Sequence, residues 1–194
     1  KIKNIEYRNA DILDLDNYDE KFDIIESCGV LHHMENPLLG WKILTKCLKP
    51  GGLMNIALYS EHARKDIVKI RKEIKKHKIA HDLSGIKSMR SIIKNSTKTH
   101  YQTVRKMQDF FSSSELRDLI FHIQEHRFTI PKIMLALNEL KLSFCGFTDA
   151  KINELFKNKY SREDQIYDLN YWNEFEMQYP DTFLGMYQFW CQKL

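Results

Sequence analysis

The chain has 194 residues, 43% hydrophobic and 29% charged, with a formal net charge of +4. That is enough for one domain with a sizeable core. Only seven glycines and four prolines speak against a disordered chain, and no apolar run approaches the ~18–20 residues of a membrane span. The polar first residues do not read as a secretory signal, and a start at Lys1 without Met reads as a piece of something longer. Cys28, Cys47, Cys145 and Cys191 form no C-x-x-C pair. They predict buried free thiols in a reducing, cytoplasmic setting. Charge is uneven: residues 61–110 hold 14 Lys/Arg against 5 Asp/Glu, so a basic middle sits in an acidic body. Such a segment is either a solvated helical face or a polyanion surface, with nucleic acid the less favoured partner.

In chain order, NIEYRN (4–9) predicts a strand. FDIIES (22–27) predicts another, apolar on both faces and therefore central and parallel. Asn36-Pro37 opens a helix, with proline where its missing N–H costs least. Leu38, Trp41, Leu44 and Leu48 continue it to Pro50-Gly51-Gly52, and LMNIALY (53–59) is the next strand. Short links between strand, helix and strand predict an α/β layered fold. Beyond Glu61, Ala63, Ile67, Ile70 and Ile74 mark an amphipathic helix. A shorter helix covers about 86–94, and 94–103 reads as a loop or helix junction. Ser112 to Glu115 predicts a capping box. Pro131 opens another helix, LSFCGF (142–147) is a strand, helices follow near 152–160 and 169–178, and MYQFWCQ (186–192) is the last strand.

Two histidine clusters stand out. His32 and His33 are adjacent, so their side chains diverge and rarely share a metal. They lie just past the carboxyl end of a predicted parallel strand, the edge where open α/β sheets bind ligands. HIQEH (122–126) fits H-x-x-E-H, a zinc-protease pattern if His122 and His126 sit one helical turn apart with Glu125 as base. The favoured reading is a polar helix face or pocket wall continuing Glu115 and Asp118, ahead of substrate contacts and of zinc. The sequence marks no third zinc ligand, and the expectation is no metal. No G-x-G-x-x-G or Walker loop is present. Gly51-Gly52 follows a helix and reads as a turn.

The run FDIIESCGVLHHMENPLLGWKILTKCLKPGGLMNIALYS resembles the middle of class I S-adenosylmethionine-dependent methyltransferases. Its marks are the F-D-x-I strand, the V-L-H-H after it, the helix ending L-K-P-G-G and the next strand. FFSSSELRDLIFHIQEHRFTIP and YPDTFLGMYQFW are similar to the methyltransferase domains of bacterial tetratricopeptide-repeat proteins. The resemblance implies a Rossmann-like α/β sheet lacking its first two strands, within a truncated domain over 1–194 that carries a helical insertion or lid at 61–130. It implies S-adenosyl-L-methionine as cofactor and an unidentified methyl acceptor. Asp11 and Ile12 match the adenine contacts, and Ser27, Cys28, Gly29 and Val30 the residues that meet the methionine end. Val30 and His33 would face the reacting methyl or the acceptor, while His32 could face it or pack inward. Imidazole titrates near neutrality, so His33, His122 and His126 are the candidate bases. The family's Gly-rich loop and ribose-binding acid are not among these residues. The upstream part of the polypeptide would supply them, and the fragment alone should bind cofactor poorly and be inactive. The competing expectation is a non-catalytic methyltransferase-like module that works through the basic 61–110 segment.

Overall fold

The computed structural model describes residues 3–194; Lys1 and Ile2 of the expected 1–194 domain lie outside the described residues. Four strands form one mixed sheet in the order β1-β2-β4-β3. They are β1 (Phe22–Cys28), β2 (Leu48–Leu58), β3 (Leu142–Phe147) and β4 (Tyr187–Lys193). β1 and β2 are parallel, with Ser27 opposite Ile56 and Cys28 opposite Ala57. β4 runs antiparallel to both β2 and β3.

The parallel pair is joined through α1 (Pro37–Cys47). Asn36 caps this helix, its Oδ1 accepting the Leu39 N–H at 3.1 Å, and Pro37 occupies the first turn. The apolar stripe buries Trp41 and Leu44 against Leu48, Met54, Ile56 and Leu58 of β2. α6 (Ile130–Glu139), α7 (Ala150–Lys159) and α8 (Leu169–Gln178) add Ile133, Leu137, Phe156 and Trp172 to the same core. The aromatic tail packs there too: Trp172 stacks on Phe156 with centroids 3.8 Å apart. A second core belongs to α2 (Lys65–Lys76), α3 (Leu83–Asn95), α4 (Thr99–Arg105) and α5 (Ser113–Phe121). Ile67, Ile70, Ile93, Val104, Leu116 and Ile120 build it.

Several local expectations change. Residues 4–9 form no strand; the chain turns instead through a 3-10 helix at Ile12–Asn17. No ladder from that segment covers β1, so β1 is an edge strand, with Ile24 57% exposed. α1 stops at Cys47 and β2 begins at Leu48, so Lys49-Pro50-Gly51-Gly52 lies within the strand rather than ending the helix. Within 94–103 a short helix, α4, forms. Ser112 caps α5 by accepting the Glu115 N–H at 3.4 Å. Of the four thiols, Cys47 and Cys191 are buried, Cys145 is half-buried and Cys28 is exposed; all are free.

Candidate functional site

The site is built where β1 and β2 end. After Cys28 the chain turns at Gly29, whose φ of +78° lies in the left-handed region that favours glycine. A Cβ added there would have no atom within 4 Å, so the turn is open to an approaching ligand. On one side Ser27 is buried, and its Oγ has no hydrogen-bond partner. On the other, Cys28 and Val30 are exposed. Burial, and then the Glu26 carboxylate, push the Cys28 thiol above its ordinary value, so it is no ready nucleophile.

A 3-10 turn at Leu31–His33 follows. It points the two histidines differently, as adjacency requires. His32 is fully buried, and neither ring nitrogen has a hydrogen-bond partner. Its ring lies 3.9 Å from that of Tyr59, at the end of β2. Burial first, then the charges of His33 and Arg64, push its pKa down to about 3. His32 is thus a neutral packing residue, which decides between its two expected orientations.

His33 is half-buried, and its Nδ1 lies 2.9 Å from the Gln124 carbonyl. A carbonyl only accepts, so Nδ1 carries the proton and Nε2 presents its lone pair. Burial lowers the His33 pKa; the Gln124 carbonyl opposes this and His122 adds to it. The His122 ring stacks on His33 at 3.7 Å, 27° from parallel. The Gln124 N–H donates to His122 Nδ1 at 3.3 Å, which leaves the His122 proton on Nε2.

The structure corrects the helical reading of HIQEH. α5 ends at Phe121, and His122 turns into extended backbone (φ −58°, ψ 132°). The physical reason is a better set of backbone partners. Residues 122–128 lie as a strap over the two strand ends. The His126 N–H donates to the His32 carbonyl, the Phe128 N–H to Tyr59, and the Glu61 N–H to Phe128, each at 2.8 Å. Gln124 Nε2 reaches the Met34 carbonyl at 3.1 Å. His122 and His126 are therefore not one turn apart, and the zinc-protease geometry does not occur. Among the described residues no group of three or more His, Cys, Asp or Glu is arranged to hold a metal.

Glu125 anchors the strap. Its side chain is 1% exposed and pairs with Arg64 at 2.6 Å, Arg71 at 2.7 Å and Arg127 at 3.5 Å. Burial alone would raise its pKa; Arg64, Arg71 and Arg127 outweigh burial and hold it below the ordinary value. The Arg64 guanidinium also sits 3.6 Å from the Tyr59 ring centroid, a cation–π contact. Behind this cluster, Ser60 Oγ and Tyr187 Oη donate to the buried Glu176 at 2.7 and 2.6 Å.

The structure thus gathers Ser27 to Val30, His33 and His122. His126 joins through its backbone and lies 3.5 Å from the Gln124 amide. Asp11 and Ile12 lie elsewhere in the contact network. The exposed Asp11 caps the 3-10 helix, Oδ1 accepting the Leu13 N–H at 2.9 Å. The far end of that helix meets the last turn of α1, where Cys47 Sγ approaches the Leu15 carbonyl at 3.6 Å. Tyr59, Arg64 and Gln124 were missed as site residues. Tyr59 was findable, since it ends the second parallel strand. Gln124 was hidden by reading its segment as helix.

A parallel strand pair joined through a helix, with a glycine turn and two histidines at its carboxyl edge, is the architecture of a Rossmann-like α/β fold. Residues 1–119 match the family described as "Methyltransferase domain", and the chain belongs to that family. It is 24% identical over 184 residues to an uncharacterised protein of Synechococcus, covering 89% of this chain and 44% of that relative. Two solved structures of PKMT2 from Rickettsia typhi share the fold. The one in complex with AdoHcy superposes with a TM-score of 0.64 at 18% identity, over 98% of this chain and 38% of that one. The other gives 0.60 at 16% identity, over 94% and 37%. The chain therefore spans less than half the length of the relatives it matches.

Proposed function

We propose that this chain forms the acceptor side, and part of the donor side, of an S-adenosylmethionine-dependent methyltransferase. Family membership supports the reaction. The observation that carries the site is the 2.9 Å contact between His33 Nδ1 and the Gln124 carbonyl, which makes Nδ1 the donor of a neutral imidazole and leaves the lone pair on Nε2. The residues fit the cofactor's methionine end. Gly29 leaves open space for it, and the backbone of Ser27, Cys28 and Gly29 would meet it there. Asp11 Oδ1 is taken by its cap, which leaves Oδ2 for an adenine amino group. Residues outside this chain complete the cradle, since no Gly-rich phosphate-type loop occurs here. This piece alone binds cofactor weakly and turns over little. The parent is a bacterial, cytoplasmic enzyme of the kind fused to tetratricopeptide repeats. Among the described residues no helix is long and apolar enough to cross a membrane.

When bound, S-adenosylmethionine supplies a methyl group activated on a sulfonium. The protein's residues then align and deprotonate the acceptor. Val30 walls the approach. His33 Nε2 takes the acceptor proton, and the Gln124 carbonyl and the stacked His122 ring fix the imidazole's angle. Tyr59 and Arg64 close the side toward the insertion. Acceptors needing no deprotonation would not use His33, so the His33 variant also sorts acceptor class.

The test is methyl transfer by the full-length parent carrying His33→Ala. Loss of a positioned base predicts a fall of about 10²–10⁴-fold in kcat. In the unsubstituted enzyme kcat/KM should rise with pH and level off, with a midpoint below the ordinary histidine value of 6.5. An unchanged rate and pH profile in His33→Ala would remove His33 as base.

A further inference from the structure

A cavity of about 490 Å³ opens between α2 and the end of α5, on the far side of His122 from the glycine turn. Arg71, Lys72, Lys75 and Arg127 line it, and no carboxylate does. The acids paired with its arginines are already engaged: Glu125 is buried under three guanidinium groups, and Glu61 pairs with Arg127 at 3.1 Å, while Glu73 of α2 pairs with Lys98 at 3.2 Å. Lys72 and Lys75 make no ion pair among the described residues. Arg71 and Arg127 are paired with Glu125 and Glu61, and Lys72 and Lys75 add positive charge to the same lining with no ion-paired carboxylate of their own. Between the cations the wall is apolar, with Val68, Ile74, Ile120 and Phe121, and Ile123 stands 92% exposed at the rim.

We propose that this cavity binds a small organic anion, a phosphate or carboxylate carried on an apolar body. The anionic group would sit between Arg71, Arg127, Lys72 and Lys75, and the apolar body against Ile120, Phe121 and Ile123. Arg71 suits the role because its guanidinium is already fixed, one nitrogen on Glu125 and the other on the His122 carbonyl. A preset fork loses little freedom on pairing with an anion. His122 lines the cavity and stacks on His33, so the bound anion lies one ring away from the proposed base. The binding claim itself does not depend on methyl transfer.

Titration of the 194-residue chain with phenyl phosphate, benzoate and inorganic phosphate, read by calorimetry, tests the proposal. Phenyl phosphate or benzoate should bind at least about fivefold more tightly than inorganic phosphate, because only they fill the apolar wall. A preference between the two names the anionic group. The double variant Lys72→Ala/Lys75→Ala should weaken binding by roughly tenfold. Lys87→Ala/Lys94→Ala, on exposed positions of α3, should leave it unchanged. Both variants alter exposed lysines, so circular dichroism should match the parent. Equal weakening in the two variants, no binding of either organic anion at ~10 mM, or capture of a nucleic-acid duplex without the small anions would overturn it.

Discussion

His32 carries the sharpest residue-scale consequence. It sits in the core with two unpartnered ring nitrogens, and its pKa falls to about 3 from an ordinary 6.5. Between those values the unfolded chain takes up a proton that the native state refuses. Stability therefore rises with pH across that window and drains away as pH falls from 6.5 toward 3, by up to ~1.4 kcal/mol per pH unit. Glu125 adds to the loss at the acid end. Its folded pKa lies below the ordinary 4.5, so the stability it contributes is present above that value and disappears as pH falls through the folded one. His32→Phe replaces the imidazole by a larger aromatic ring that cannot titrate. Overpacking should cost about 1–3 kcal/mol at pH 7, and the variant should lose less stability than the parent between pH 6.5 and 4.5. Urea denaturation at stepped pH reads both, and an unchanged pH slope would mean that His32 is protonated without cost. In the sequence the V-L-H-H run marked both histidines, but adjacency alone left open which one packs inward. The Tyr59 ring at the next strand's end settles it, and that contact is tertiary.

At the scale of elements, the strap 122–128 is the piece that sequence periodicity misread. Leu116, Leu119 and Ile120 share the buried stripe of α5, and Ile123 would extend it by one more turn. Instead it is 92% exposed, because the backbone beyond Phe121 bonds to His32, Tyr59 and Glu61. Tertiary partners outweighed helix continuation. Local signals fared better where they carried their own chemistry: Asn36-Pro37, Ser112 and Pro131 all mark helix starts. β1 was legible as a strand and not as an edge, since its apolar residues say nothing about which neighbour is present. The strap's hold on the sheet rests on Glu125 and its arginines. Glu125→Ala would leave Arg64, 2% exposed, without its carboxylate. Loss of one member of a buried ion pair predicts a destabilisation of ~3–5 kcal/mol, read as a lower urea midpoint. A change under ~1 kcal/mol would mean that the cluster is wetter and looser than its geometry shows.

Over the whole molecule, two apolar clusters divide the labour. One builds the sheet and the helices that cover it, and the other belongs to α2–α5. They meet at the strand ends, where Tyr59, Arg64 and the strap join α2–α5 to the sheet. The α/β class was legible from FDIIES and LMNIALY with the helix that Asn36-Pro37 opens between them. The strap, the arginine cluster and the basic cavity were not, because each depends on residues ~60–90 positions apart coming together, as Arg64 with Glu125 and His33 with Gln124 do. If, as proposed, the turn leaving β1 receives the donor's amino-acid end beside His33, a titration of the 15N-labelled chain with S-adenosylhomocysteine, followed residue by residue in NMR spectra, will show it. Binding should be weak, around millimolar, with amide shifts concentrated at Ser27, Cys28, Gly29 and Val30 and at His33, and none in α3 or α8. Shifts confined to those distant helices, or no shift at Gly29 under saturating ligand, would contradict it.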